Sequence, residues 1–175
     1  PLIDDVFRMI DILKSIGVKI EYFSERKIKL QADNLSSDSI DYDSICKLRS
    51  SILLLGPLLA RVEKFKMSHP GGCLIGARPV ATHFEGLATL GAQISQDDQF
   101  YYIEKKQFSD ADQRQIILRE FSVTATENLM MVASLRPGKT VIKIAAAEPH
   151  VQDLGEFLIK MGAKIEGLGT HTLVI

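Results

Sequence analysis

Tryptophan is absent from these 175 residues, and cysteine occurs only twice, as Cys46 and Cys73. The two do not form a Cys-x-x-Cys pair, which argues against both a structural zinc site and a disulfide framework. So little cysteine fits a reducing, cytoplasmic setting. Charge of one sign is also lacking: 21 Lys and Arg stand against 22 Asp and Glu, for a net charge of −1, and no long basic run occurs. A nucleic-acid-binding surface therefore has no electrostatic footing. The longest apolar run, Ile52 to Ala60, is far shorter than a bilayer span and lacks the flanks of a signal peptide, so no membrane contact is expected. A lone histidine such as His83 is no evidence of a metal, and none is assigned. The chain starts at Pro1 without Met and ends at Ile175 on the strand-like run THTLVI, which is expected of a piece of a longer protein.

What is present is enough apolar material for one well-filled core, 46% hydrophobic against 25% charged residues, in a soluble α/β protein. Three segments share a pattern: LKSIGVKI at 13–20, LATLGAQI at 87–94 and LIKMGAKI at 158–165. Their glycines, Gly17, Gly91 and Gly162, lie 74 and 71 residues apart, as in an internal repeat. Each copy predicts an amphipathic helix that stops at the glycine and is followed by a short strand. The apolar faces are Val6, Met9, Ile10, Leu13 and Ile16, then Phe84, Leu87 and Leu90, then Val151, Leu154, Leu158 and Met161.

Two-stranded hairpins are expected after each glycine, in VKIEYFSERKIKLQ, AQISQDDQFYYIEK and AKIEGLGTHTLVI. Upstream in the second and third copies lie SSILLLGPLLARV and ATENLMMVASL, helices with almost no polar face, which belong inside a domain. Pro57 predicts a kink in the first of them. The full unit reads strand, helix, strand, helix, strand, strand. The chain divides accordingly into residues 1–31, the second half of a first unit, 32–106, a second unit, and 107–175, a third.

Candidate chemistry centres on PGGCLIGARPV, residues 70–80. Pro70, Gly71 and Gly72 disfavour a helix around Cys73 and favour a partly exposed loop. Read locally, Cys73 is as readily a small buried hydrophobe as a reactive thiol. Cys46, between Ile45 and Lys47 and read as lying at the start of a helix, keeps the first of those readings. Arg49 and Arg78, taken alone, read as surface arginines. Ser122 or Thr124 reads as a helix cap, and His83 faces either a site or the core.

The run SSILLLGPLLARVEKFKMSHPGGCLIGARPVATHFEGLATLGA, followed by ATENLMMVASLRPGKTVI and EPHVQDLGEFLIKMGAKIEG, closely resembles the UDP-N-acetylglucosamine enolpyruvyl transferases, collinearly over nearly the whole chain. The resemblance implies an inside-out α/β barrel lobe of repeated βαβαββ units with apolar helices inside, one of two such lobes. It implies transfer of the enolpyruvyl group of phosphoenolpyruvate to the 3-hydroxyl of UDP-N-acetylglucosamine with release of phosphate, with no cofactor. That reaction needs a general acid for the methylene carbon, and a thiol with a pKa near ~8.5 carries a proton at neutral pH. On the resemblance, Cys73 takes part in proton transfer from a mobile lid and is the target of fosfomycin. Arg78 contacts phosphoenolpyruvate, and Pro79, Val80, Ala81 and Thr82 line the nucleotide-sugar site. Arg49 belongs to the same site, and Glu120, Phe121, Ser122 and Val123 match the segment that binds the uridine end.

Two departures stand out. The family usually reads Arg-Pro-Val-Asp-Leu-His where this chain has Arg78, Pro79, Val80, Ala81, Thr82 and His83, which removes a carboxylate. It usually reads Arg-Glu-Pro-Glu where Ala147, Glu148, Pro149 and His150 stand here. The family's N-terminal Lys-Asn pair and the carboxylate acting as base on the sugar hydroxyl have no counterpart in these residues, so the chain alone is not expected to turn over. The competing expectations are a non-catalytic nucleotide-sugar-binding or scaffold relative, supported by Ala81 and Ala147, and the related transferase acting on shikimate 3-phosphate, disfavoured by PGGC.

Overall fold

A computed structural model describes residues 2–69, 80–106 and 113–175. Three helix ends anchor it, one for each glycine signature. Helix α1 (Asp4–Ser15) leads into strand β1 (Lys19–Ser24), which pairs antiparallel with β2 (Lys27–Gln31). At its end Gly17 takes φ +93°, its N–H bonds to the Lys14 carbonyl, and the Val18 N–H bonds to the Leu13 carbonyl. The bonds of Gly162 and Ala163 to Ile159 and Leu158 repeat this pattern at φ +107°. This double closure satisfies the last carbonyls of the helix only where one residue can turn left-handed, which is why glycine recurs there.

Helix α2 (Tyr42–Lys47) is short, capped by the Asp41 carboxylate on the Ser44 N–H. Residues 32–41 before it form no strand. Next come a 3-10 helix (Arg49–Leu54) and α3 (Leu55–Arg61), then β3 (Lys64–Ser68). Helix α4 (Ala81–Thr89) precedes the hairpin of β4 (Ala92–Gln96) and β5 (Phe100–Lys105), and β3, β5 and β4 form one antiparallel sheet. The last part runs β6 (Arg114–Ile117), α5 (Val123–Ala133), β7 (Thr140–Lys143), α6 (Pro149–Lys160) and β8 (Thr172–Val174), with β7 parallel to β6 and antiparallel to β8. Ile144, just past β7, holds φ +59°, a strained value for a β-branched residue.

The two helices read as apolar all round do lie inside. Ala125 to Met130, Val132 and Ala133 of α5 are all buried, and α5 packs on α3, α4, α6 and the 3-10 helix. Leu55, Leu58 and Leu59 of α3 are sealed in the same core. Among the described residues α3 and α5 form the interior, α1 and α6 bury only one face, and the strands form three small sheets.

Four local expectations are corrected. SSILLLGPLLARV is two helices rather than one kinked helix, and Pro57 falls in the first turn of α3, where a missing N–H costs least. On α1 the most deeply buried residue is Ile12, absent from the anticipated face, because α2 and the loop before it cover that side: the Asp41 N–H bonds to Ser15 Oγ and the Ser36 N–H to the Ile16 carbonyl. On α6 the close approach is at Gly155, where an added Cβ would lie 2.3 Å from Leu168, while Met161 is 70% exposed at the departing end. The third hairpin shrinks to β8 and a single bridge from Glu166 to Val174.

Candidate functional site

Three segments distant in sequence meet at the N-terminal end of α5. Ser122 opens that helix: its hydroxyl accepts the Ala125 N–H and its carbonyl accepts the Thr126 hydroxyl at 2.8 Å. Ser122, and not Thr124, is therefore the cap, and the Thr124 hydroxyl is left to lie 2.8 Å from Nε2 of His83 on α4. One residue earlier, the Thr82 hydroxyl donates to the Glu120 carboxylate at 3.1 Å. An exposed ion pair between Arg119 Nε and Glu85, 2.7 Å, joins the same two segments from outside.

His83 is 3% exposed, which settles its orientation toward the interior side of this junction. Burial, and second to it the positive charge of Arg49, push its imidazole down to about 4, with the Val80 carbonyl partly opposing. The ring is thus neutral at physiological pH. Arg49, half-buried, opens the 3-10 helix, and its charge also reaches Tyr101, whose phenol burial raises above its usual range. His69 stacks on the Tyr101 ring at 4.3 Å, and Phe84 meets it edge-on at 4.7 Å.

Of the residues anticipated for the site, Arg49, Val80, Ala81, Thr82, Glu120, Phe121, Ser122 and Val123 are described and lie at or beside this junction. Cys73, Arg78 and Pro79 lie outside the described residues. The positions flanking 70–79 belong to the same cluster: His69 on the Tyr101 ring, and Val80 as the residue capping α4. Ala81 is exposed in the first turn of α4, and the neighbouring Thr82 brings the Glu120 carboxylate to that turn. Phe121 is exposed, with its ring 4.5 Å from that of His171. Cys46 is exposed and close to the end of α2, not buried at a helix start, because Ile45 takes the inward position on that short helix.

Reading α5 as having almost no polar face overlooked three polar residues, Thr126, Glu127 and Asn128, all buried. The Thr126 hydroxyl accepts the Ala146 N–H from the strand end opposite. Burial raises the Glu127 carboxyl above its usual range, with His150 opposing and Glu148 reinforcing. The segment Ala147–His150 thus acts electrostatically on the centre of α5. The Asn128 amide accepts the Gly56 N–H at 2.6 Å and donates to the Ile52 carbonyl at 3.1 Å and the Thr124 carbonyl at 2.9 Å. The usable signal was the run Thr-Glu-Asn inside an otherwise apolar helix, since polar groups enter a core only with partners.

Together these groups gather the charge of Arg49, a neutral imidazole, two threonine hydroxyls and the Glu120 carboxylate about the N-terminal end of an eleven-residue helix. Such a set offers one cation and several hydrogen-bond donors and acceptors to an oxygen-rich ligand.

The chain is similar over its whole length to UDP-N-acetylglucosamine 1-carboxyvinyltransferase of Hydrogenovibrio crunogenus, 42% identical over 175 residues that make up 41% of that protein. It is 45% identical to the enzyme of the same name from Treponema denticola, covering all of this chain and 40% of the relative. The chain therefore spans about two fifths of the length of the curated relatives it matches. Among solved structures its fold matches the enolpyruvyl transferase NikO from Streptomyces tendae, with a TM-score of 0.80 at 18% identity over 100% of this chain and 41% of that one. Since the sequence model of the EPSP synthase (3-phosphoshikimate 1-carboxyvinyltransferase) family matches residues 1–175, this chain belongs to that enolpyruvyl transferase family.

Proposed function

We propose that these residues form most of one lobe of a UDP-N-acetylglucosamine enolpyruvyl transferase, which joins the enolpyruvyl group of phosphoenolpyruvate to the 3-hydroxyl of the nucleotide sugar and releases phosphate. What carries the reading is the unbroken match, 42–45% identical, to relatives bearing that name. In this reading 1–31, 32–106 and 107–175 are successive repeat units, and the partner they require is the second lobe of the same protein. The product feeds peptidoglycan synthesis in the cytoplasm, and through it cell shape and division.

Arg49, Val80 to Thr82 and Glu120 to Val123 bind the nucleotide sugar, with the α5 N-terminus and Arg49 turned to its diphosphate. Arg78 and Pro79 continue that site, and Arg78 pairs with phosphoenolpyruvate. Cys73 serves as the proton donor to the methylene carbon and as the thiol alkylated by fosfomycin. Because Cys46 is exposed, selective alkylation of Cys73 cannot rest on shielding of Cys46. The exposed Ala81 favours a second reading, a relative that binds the nucleotide sugar without turnover.

The test uses the complete protein with phosphoenolpyruvate and either UDP-N-acetylglucosamine or shikimate 3-phosphate, following phosphate release. Release with the nucleotide sugar alone, lost in Cys73→Ser, is the expected result. Release with shikimate 3-phosphate alone overturns it, and nucleotide-sugar binding without release supports the second reading.

A further inference from the structure

The six-residue 3-10 helix Arg49–Leu54 is long for its kind, since runs beyond three or four residues are uncommon. At its far end a side-chain amide is inserted into the helical bonding. In a continuous α-helix the Gly56 N–H would bond to the Ile52 carbonyl. Here the Asn128 side-chain amide stands between them, accepting from the Gly56 N–H at 2.6 Å and donating to the Ile52 carbonyl at 3.1 Å. The Ile52 carbonyl is left to accept the Leu55 N–H in 3-10 fashion. Pro57 has no N–H with which to restore an α-helical bond one residue further on. Gly56 is required for the fit, because an added Cβ would lie 2.5 Å from the Asn128 carbonyl oxygen.

The form of this segment sets where Arg49 sits relative to Leu54. A 3-10 helix rises about 2.0 Å and turns about 120° per residue, against about 1.5 Å and 100° in an α-helix. Over the five steps from Leu54 back to Arg49 the difference amounts to about 2.5 Å of reach and about 100° of azimuth. The third bond of Asn128, to the Thr124 carbonyl, fastens the same amide to the first turn of α5, whose Thr124 hydroxyl meets His83. We propose that Asn128 is a positioning residue for Arg49, its amide holding Arg49–Leu54 in 3-10 form and so aiming the guanidinium at the mouth of α5. The proposal rests on the reading of Arg49 as a nucleotide-sugar ligand and extends it to a residue that touches no substrate.

The test is made in the complete protein. Asn128→Leu removes both halves of the amide at similar volume, and Asn128→Asp keeps the acceptor for Gly56 while losing both donors and setting a buried carboxyl against the Ile52 and Thr124 carbonyls. Folding is checked by thermal melting, and binding is measured by calorimetry with UDP-N-acetylglucosamine at a temperature where each variant is folded. Loss of a charge-assisted phosphate contact predicts binding weaker by about tenfold to a hundredfold, with the KM for phosphoenolpyruvate much less changed. Since Asn128 acts through Arg49, Asn128→Leu should weaken binding little further when added to Arg49→Ala. Additive losses, or unchanged affinity in folded Asn128 variants, overturn the proposal. If the unaltered protein does not bind the nucleotide sugar, the functional reading fails separately. A crystal structure of Asn128→Leu then decides the geometric claim, which falls if the 3-10 helix and Arg49 stay in place.

Discussion

Lowering the pH from 7 to 5 should destabilise this chain through one residue, His83. In the folded state burial and the Arg49 charge hold its imidazole at about 4, against 6.5 in the unfolded chain. Between those values the unfolded state binds a proton that the folded state refuses, so stability rises with pH across the window, is complete above 6.5 and is lost as pH falls toward 4. The gap is worth about 3 kcal/mol in full, of which about 2 kcal/mol disappears between pH 7 and pH 5. His83 is almost wholly buried, so solvent screening reduces this little. The assay is urea denaturation at the two pH values, at a concentration where the chain is monomeric, comparing the native sequence with His83→Gln. Other titrating groups are common to both proteins and cancel in the comparison. Arg49→Ala should fall between them, because burial is the larger cause and persists. An equal pH dependence in His83→Gln and the native sequence would refute the reasoning.

Glu127→Gln should act with the opposite sign: a buried carboxyl held above its usual range stabilises below the unfolded pKa and loses that contribution as pH rises, so the variant gains stability at pH 8 relative to pH 4, measured by thermal melting. Gly162→Ala should cost about 1–2 kcal/mol from its left-handed backbone alone, since nothing lies within 4 Å of an added Cβ. Gly17→Ala should cost more in the same denaturation assay, as its Cβ would come within 2.7 Å of the Asn34 carbonyl. Leu2, Phe7, Tyr22, Phe23, Ile28 and Leu30 expose apolar surface around α1 and the β1-β2 hairpin, so the 175-residue chain by itself should associate. A monodisperse monomer by light scattering would contradict that.

The glycine signatures were legible because they encode a local event, a helix ending in a left-handed residue, that needs no distant partner. The burial of α3 and α5 was legible for a similar reason, since a helix without a polar face has nowhere else to go. The 3-10 form of Arg49–Leu54 was not. Pro57 signalled a disturbance, but the amide inserted there belongs to Asn128, more than seventy residues away. The outward turn of Cys46 and of Met161 escaped the sequence because each depends on which neighbour covers a short helix or a helix end.

The sequence by itself determined the three glycine-ended helices and the family, and it nominated the residues proposed for the site, because each depends on the order of residue types along the chain. Tertiary structure alone decided that Thr82 meets Glu120, that a neutral His83 meets Thr124 within reach of the Arg49 charge, and that one asparagine amide is inserted between Ile52 and Gly56. These are contacts between segments about forty to seventy-six residues apart, and their pairing follows from how the buried polar groups of α5 must find partners once the apolar faces have closed around them.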